Sequence, residues 1–170
     1  MSEASLTMLA PEVTPSQQMK LLYPDRPWES EPDTAEWFDA RTGYKCRIER
    51  QKSSGTLCGY VGVFKGHPVW GVNYNDADWE NPIHIHGDLT FSDTDKNGVH
   101  WFGFDTAHAR DFCPKIVESM LKYAPDSDTK SRWMQGANGI FGDEDYRTWE
   151  YVENEVHKLV AALWTLEKPQ

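Results

Sequence analysis

Apolar and polar residues alternate along short stretches in the first two thirds of the chain. Tyr44, Cys46 and Ile48 are separated by charged residues, and a more continuously apolar run follows at 57–64. Successive side chains of a strand point to opposite faces, so this alternation is typical of half-buried β-strands. A Ser-Ser-Gly turn lies between the two stretches, and together they predict a β-hairpin.

A second pair of strand-like stretches lies at 82–91 and 99–106. Between them stands Asn97–Gly98, a dipeptide that strongly favours a tight hairpin turn. A two-residue turn there pairs Lys96 with Val99, so that the numbers of opposite residues sum to an odd value. The register of this pairing matters, because a slip of one residue moves every side chain of a strand to the other face of the sheet.

Helical signals stand on both sides of this region. Asp33 is predicted to cap a helical turn over 34–41, and Pro114 suits the first turn of a helix predicted over 115–123. Near the C terminus, apolar residues recur at intervals of three and four, which predicts an amphipathic helix with one buried stripe. The stripe consists of Trp149, Val152, Val156, Leu159, Leu163 and Leu166.

Strands followed by helices are typical of an α+β fold. We expect a mainly antiparallel sheet of about four or more strands, covered on one face by two helices, in a single domain at 34–170. Residues 1–33 are rich in Pro, Ser and acidic residues and are expected to form a partly ordered N-terminal arm. The arm is expected to pack through Leu21, Leu22, Tyr23 and Trp28.

Charge and composition narrow the classes of function. The formal net charge of −10 argues against direct nucleic-acid binding, which needs a basic footprint, and leaves a small ligand or a basic protein as partner. No signal-peptide pattern opens the chain, and no apolar run approaches the roughly 20 residues of a membrane span. We therefore expect a cytoplasmic protein without membrane association.

The three cysteines have no CxxC spacing, and we expect Cys46, Cys58 and Cys113 to be free thiols. A Cys46–Cys58 bridge across the first hairpin is the alternative. Cys58 or Cys113 as a nucleophile is a further alternative, although neither has an obvious activating neighbour in the sequence.

The stretch 82–91 carries the most distinctive chemistry of the chain. If it is a strand, His84, His86 and Asp88 share one face. The other face is then apolar and holds Ile83, Ile85, Leu89 and Phe91. With the odd register, Phe102 and Phe104 join the apolar face, and Asp105 joins the histidines on the polar face.

His108 and Asp111 follow at intervals of three, which places them beside Asp105 if the chain turns helical there. His84, His86, Asp105 and His108 are then candidate ligands for zinc, manganese or iron, and a metal would make hydroxide available near neutral pH. Asp111 is expected to support a ligand or to act as a base. The alternative is that the histidines only hydrogen-bond carboxylates on a polar face of the sheet.

Two further motifs compete with this interpretation. His84-x-His-x-Asp88 resembles the opening of the metallo-β-lactamase metal motif, but Leu89 stands where that motif has His. Asp93-x-Asp-x-Asn-Gly98 matches the start of a calcium loop, yet the twelfth position is Phe104 and not Glu. A hairpin turn explains the second motif better.

Several segments resemble an uncharacterised family of small phage and bacterial proteins. The segments are His86-Gly-Asp-Leu-Thr, Gly103-Phe-Asp-Thr-Ala-His-Ala-Arg-Asp111 and Tyr151-Val-Glu-Asn-Glu155. The pattern of that family has Gly where this chain has Asp88 and Arg110. The resemblance carries no established activity, but it implies that His86, Asp105, His108 and Asp111 form the site, and that the protein acts in the cytoplasm of a host cell if it is phage-encoded.

Three functions are open at this point. The first is a His/Asp pocket that binds a small molecule or nucleotide, with metal-dependent hydrolysis as its reaction and His86, Asp105, His108 and Asp111 as its catalytic residues. The second is an acidic anti-defence protein that inhibits a nucleic-acid-binding host protein without catalysis. The third is an oligomeric structural protein that uses exposed Trp residues. These are Trp70, Trp79 and Trp133.

Overall fold

A five-stranded antiparallel sheet and three helices make up the computed structural model, which describes residues 14–79, 83–124, 128–129 and 144–167. The strands are β1 (Thr34–Phe38), β2 (Lys45–Arg50), β3 (Leu57–Val63), β4 (Phe91–Thr94) and β5 (His100–Asp105). The helices are α1 (Pro15–Leu22), α2 (Pro114–Tyr123) and α3 (Trp149–Leu166). The strand order is β1-β2-β3-β5-β4, with every neighbouring pair antiparallel. The predicted α+β class is confirmed.

The C-terminal helix α3 covers one face of the sheet, as its apolar stripe predicted. Val152, Val156, Leu159 and Leu163 are fully buried against the inner face of β2, β3 and β5. Close approach depends on Gly59 of β3, because a Cβ there would meet both the Phe104 ring and the Val156 side chain at less than 3 Å. We call the opposite face, which α3 does not cover, the outer face.

The other two helices form a smaller cluster of their own. α1 packs against α2, and Met19, Phe112, Val117 and Leu121 are its buried members. Tyr23 and Trp28 of the N-terminal arm pack on this cluster, as does Leu22. The arm therefore packs through three of the four predicted residues. The fourth prediction is wrong, because Leu21 is 76% exposed on the outer side of α1.

A helical turn over 34–41 is not formed, since residues 34–38 are the edge strand β1. Ala35 and Trp37 are half-buried while the residues between them are exposed, which is the two-residue period of a strand. Pairing with β2 places Glu36 opposite Arg47, and the Arg47 guanidinium lies 2.9 Å from the Glu36 carboxylate. Long-range pairing thus overrides the local capping signal of Asp33.

The register of the second hairpin differs from the prediction by one residue. Thr94 pairs with His100 and Phe91 with Gly103, so that opposite residues sum to an even number. The reason is Asp95, whose carboxylate accepts hydrogen bonds from the backbone N–H groups of Asn97 and Val99 and closes a three-residue loop. The strand β5 still has its predicted alternation, but Phe91 moves to the outer face and is 42% exposed.

All three cysteines are free, as predicted. Cys46 pairs with Val61 on the inner face, whereas Cys58 pairs with Glu49 on the outer face. The two side chains point to opposite sides of the sheet, so no Cys46–Cys58 bridge forms.

Candidate functional site

The segment 83–90 is a loop and not the predicted strand. The β4 strand begins only at Phe91, and a turn closes the loop through a hydrogen bond from the Asp88 N–H to the Ile85 carbonyl. Gly87 and Asp88 both have φ near +63°, a conformation that ends an extended run. The buried Glu155 carboxylate of α3 accepts the His86 N–H at 2.8 Å. The conformation of this segment therefore depends on a helix that is distant in sequence, and the local residue pattern does not reveal that contact.

The second arm of the site is a turn at 106–111, where the sequence predicted a helix. The Asp111 N–H donates to the His108 carbonyl, and the His108 N–H donates to Asp111 Oδ2 at 3.0 Å. Arg110, between them, has a φ of +77°. Phe112 and Arg110 pair through their backbones with Asp145, which brings the segment before α3 alongside.

His86, His108 and Asp111 meet where these two segments touch. His86 Nε2 lies 2.7 Å from Asp111 Oδ2, and His108 Nδ1 lies 3.6 Å from the same oxygen. One ligand atom from each of the three residues lies within 4.8 Å of the other two, close enough to hold a metal ion. The His108 ring packs directly over Gly87, where a Cβ would lie 2.1 Å from the ring.

Three residues from the C-terminal part of the chain orient this cluster. The Tyr151 hydroxyl lies 3.0 Å from His86 Nδ1, and Arg147 Nε donates to Asp111 Oδ1 at 2.8 Å. Glu155 binds the His86 backbone and is held in turn by Lys158 at 2.6 Å. None of the three is among the site residues predicted from the sequence. Tyr151 and Glu155 are four apart on one face of α3, but this spacing alone does not indicate a site.

Asp111 is the electrostatic centre of the site. Its side chain is 1% exposed. Burial acts to raise the pKa of this carboxyl, but hydrogen bonds from Arg147, His86 and the His108 backbone outweigh burial and hold the pKa below its ordinary value. The same contact raises the pKa of Arg147. Asp111 is therefore a buried anion paired with a fixed cation.

The structure brings only some of the predicted site residues together. His86, His108 and Asp111 come together, although Asp111 was expected beside the ligand set and not in it. Asp105 lies at the margin, with its Oδ1 3.7 Å from His108 Nδ1 and its oxygens bonded to Thr90 and Ala107. His84 is exposed in the loop and outside the three-residue group.

One polar atom of the cluster has no hydrogen-bond partner. His108 Nδ1 is buried, and nothing in the described part of the chain completes a hydrogen bond with it. Buried polar atoms in folded proteins are almost always satisfied, so an orphan atom aimed at a carboxylate needs an explanation. A bound cation or a bridging water would satisfy this nitrogen, and two imidazoles with a carboxylate are a donor set that transition metals accept.

The chain matches no protein-family model, no curated protein and no solved structure with which it was compared. Within the described residues, every helix is too short or too polar to cross a membrane.

The expectation of exposed Trp residues is wrong for two of them, because Trp70 and Trp79 pack on the core and donate hydrogen bonds to Gly98 and Tyr74 carbonyls. Trp133 lies outside the described residues.

Proposed function

We propose that the protein is a metal-dependent hydrolase of a small molecule, with a divalent transition metal held by His86, His108 and Asp111. The observation that carries the proposal is the unpartnered, buried Nδ1 of His108, 3.6 Å from the anionic Asp111. A cation between these atoms would satisfy the nitrogen and compensate the buried negative charge. Two imidazoles and one carboxylate suit zinc, iron or manganese.

The spacing supports this assignment with one adjustment. Ligand atoms about 2 Å from a metal stand roughly 3 to 4 Å from one another, which the His108–Asp111 separation already satisfies. The His86–Asp111 separation of 2.7 Å is that of a hydrogen bond, so the ring would move by about 0.5 Å or more on binding.

Two residues in contact with the proposed ligands, Arg147 and Tyr151, would hold them in orientations suited to a metal. Arg147 occupies Asp111 Oδ1, so a metal would bind Oδ2, which also accepts the His108 N–H. When His86 Nε2 is a ligand, its proton is lost and Nδ1 carries the remaining one, which then donates to the Tyr151 hydroxyl. Such a partner fixes the tautomer and the orientation of a ligating imidazole.

Three protein ligands leave a coordination position open for water. A zinc ion held there would lower the pKa of a bound water, to about 7 in catalytic zinc sites generally, and so would supply the nucleophile for hydrolysis of an ester, amide or phosphoester. Asp105, at the edge of the cluster and 34% exposed, is placed to accept a proton from that water or to orient the substrate.

Turnover of a chromogenic ester, an aryl amide and an aryl phosphate by the tag-free protein tests the proposal. We expect the protein to hydrolyse one of them when it is saturated with zinc, manganese or iron(II). This turnover should be lost after chelation of the metal and in His86→Ala. His157→Ala, which removes an exposed histidine from the polar side of α3, is the matched control. Turnover that survives both chelation and His86→Ala, or no metal-dependent turnover of any of the three, contradicts the proposal.

A further inference from the structure

A cavity of about 400 Å³ opens on the outer face beside the His/Asp cluster. Its walls include Cys58 and Tyr60 of β3, Thr90 and Phe91 at the start of β4, and Asp105 and Ala107 at the end of β5. This volume is within the range of small-molecule sites. Asp105 belongs to both features, because its Oδ1 also lies 3.7 Å from His108 Nδ1.

Two carboxylates, Glu49 and Asp105, lie at or next to this cavity. Glu49, Cys58 and Asp105 stand side by side on three adjacent strands of the outer face. Among the described residues, neither Glu49 nor Asp105 forms an ion pair with Lys or Arg, and none of the residues described as lining the cavity is basic. Burial raises the pKa of the Cys58 thiol. Hydrogen bonds with Gln51 and Tyr60 act to lower this pKa, and the charges of Asp105 and Glu49 act to raise it.

Aromatic surface lies next to these carboxylates. The Phe91 ring meets the Tyr60 ring edge-on, with centroids 5.7 Å apart, and Phe91 is 42% exposed. Tyr60 lies across Gly103, where a Cβ would meet its ring at 2.4 Å. The even register of the hairpin produces this arrangement, because it places Phe91 opposite Gly103 on the outer face.

We propose that this cavity binds a small organic cation, an amine whose ammonium group contacts Asp105 while its body packs on Phe91 and Tyr60. A carboxylate without a cation and an exposed aromatic ring are the two features that recognise ammonium groups. Phosphates and other anions are disfavoured by the same charges. That the amine is the substrate of the His/Asp site rests on the proposed function, whereas its binding to the cavity does not use the metal.

Backbone amide NMR shifts of the metal-stripped full chain test the proposal with three probes of one shape: benzylammonium, benzyl alcohol and benzoate. At constant ionic strength we expect benzylammonium to shift the Ala107 and Phe91 signals with an affinity about fivefold or more above that of benzyl alcohol, and benzoate not to saturate them. Equal affinity for the alcohol and the ammonium, or tighter binding of benzoate, overturns the proposal.

Two carboxylate variants locate the site. Asp105→Asn keeps an oxygen for the Ala107 N–H and places an amide group, which can donate to the Thr90 hydroxyl, where the second carboxylate oxygen was. It removes the charge and should lower benzylammonium affinity by about fivefold. Asp93→Asn removes the same charge from the outer face but further along the hairpin, because Asp93 pairs with Trp101 and not with the end of β5. It should leave the affinity unchanged. If both variants weaken binding equally, the ammonium responds to overall charge and the cavity is not its site.

Repeating the titration in His86→Ala/His108→Ala separates the two proposals. Retained benzylammonium binding in a variant that holds no metal supports the cavity even where the wild-type chain also proves metal-free. Loss of binding in this variant, with its remaining amide spectrum unchanged, contradicts the claim that the cavity works without the metal ligands.

Discussion

Asp111 is the residue on which the contacts of the site converge. Its Oδ2 faces His86 and the His108 backbone, its Oδ1 faces Arg147, and its side chain is almost fully buried. A buried carboxylate is costly unless each oxygen is satisfied. The residues that satisfy it come from three separate segments, so Asp111 joins the loop at 83–90 to the chain before α3.

Gly87 is expected to control the position of His108. Gly87→Ala places a methyl group where the His108 ring now lies and adds strain at a φ of +63°. We predict that zinc affinity, measured by competition with a chromophoric chelator, falls at least about tenfold.

Gly66→Ala is the matched control, because Gly66 also has a positive φ but nothing lies within 4 Å of an added Cβ. It should lose stability without losing metal affinity. Equal zinc affinity for Gly87→Ala and the wild-type chain would show that His108 does not need its present position.

Arg110 has a positive φ, a backbone conformation that is strained for Arg and unstrained for glycine. With φ at +77° and an exposed side chain, Arg110→Gly should raise the free energy of unfolding by about 0.5–1 kcal/mol relative to Arg110→Ala. Urea denaturation of both variants checks this, and equal midpoints would be evidence against strain at this turn. Asp88 is the other non-glycine residue with positive φ in the described chain.

At the scale of elements, the β4–β5 hairpin determines what the outer face presents. Asp95 accepts hydrogen bonds from the Asn97 and Val99 N–H groups and from the Trp101 indole at 3.0 Å. These bonds select the three-residue loop and the even register. That register exposes Phe91 beside Tyr60 and keeps Phe102 in the core.

Asp95 should therefore make the stability of the hairpin depend on acid. The Trp101 indole and the backbone N–H groups hold the pKa of Asp95 below its ordinary value. A carboxyl with a lowered folded-state pKa stabilises the fold above its unfolded pKa, near 3.9, and loses this contribution as pH falls through the folded value.

We predict that Asp95→Asn lowers the urea midpoint at pH 6 and that its difference from wild type shrinks below about pH 3. Asp93→Asn, which removes a carboxylate that does not close the turn, serves as the comparison. A difference that is constant from pH 6 to pH 2.5 would assign the effect to side-chain shape and not to charge.

Elements whose pattern is local could be predicted from the sequence, and those set by distant partners could not. The α3 stripe needs only its own period, and Trp149–Leu166 is helical as expected. The loop at 83–90 depends on Glu155, which is 69 residues beyond His86, and β1 depends on pairing with β2. His86, His108 and Asp111 were found by residue type, but Arg147 and Tyr151 enter through tertiary packing.

At the scale of the whole molecule, cations and carboxylates are distributed unevenly. Arg50 and Arg147 are bound into partly buried ion pairs with acidic residues, and Arg47 is paired with Glu36 on the outer face. The chain carries a net charge of −10, and within the described residues Glu49 and Asp105 form no ion pair with Lys or Arg. Structural ion pairs thus take up these arginines, and the outer face near the site is expected to attract cations and repel anions.

The metal content of the chain tests the central claim most directly. Tag-free protein is saturated with zinc, desalted and measured by elemental analysis beside His86→Ala/His108→Ala, with circular dichroism to confirm that both are folded. We predict about one zinc per wild-type chain and less than about one tenth of that in the variant. A folded wild-type chain that retains no zinc, or equal zinc in both proteins, would contradict a metal centre at His86, His108 and Asp111.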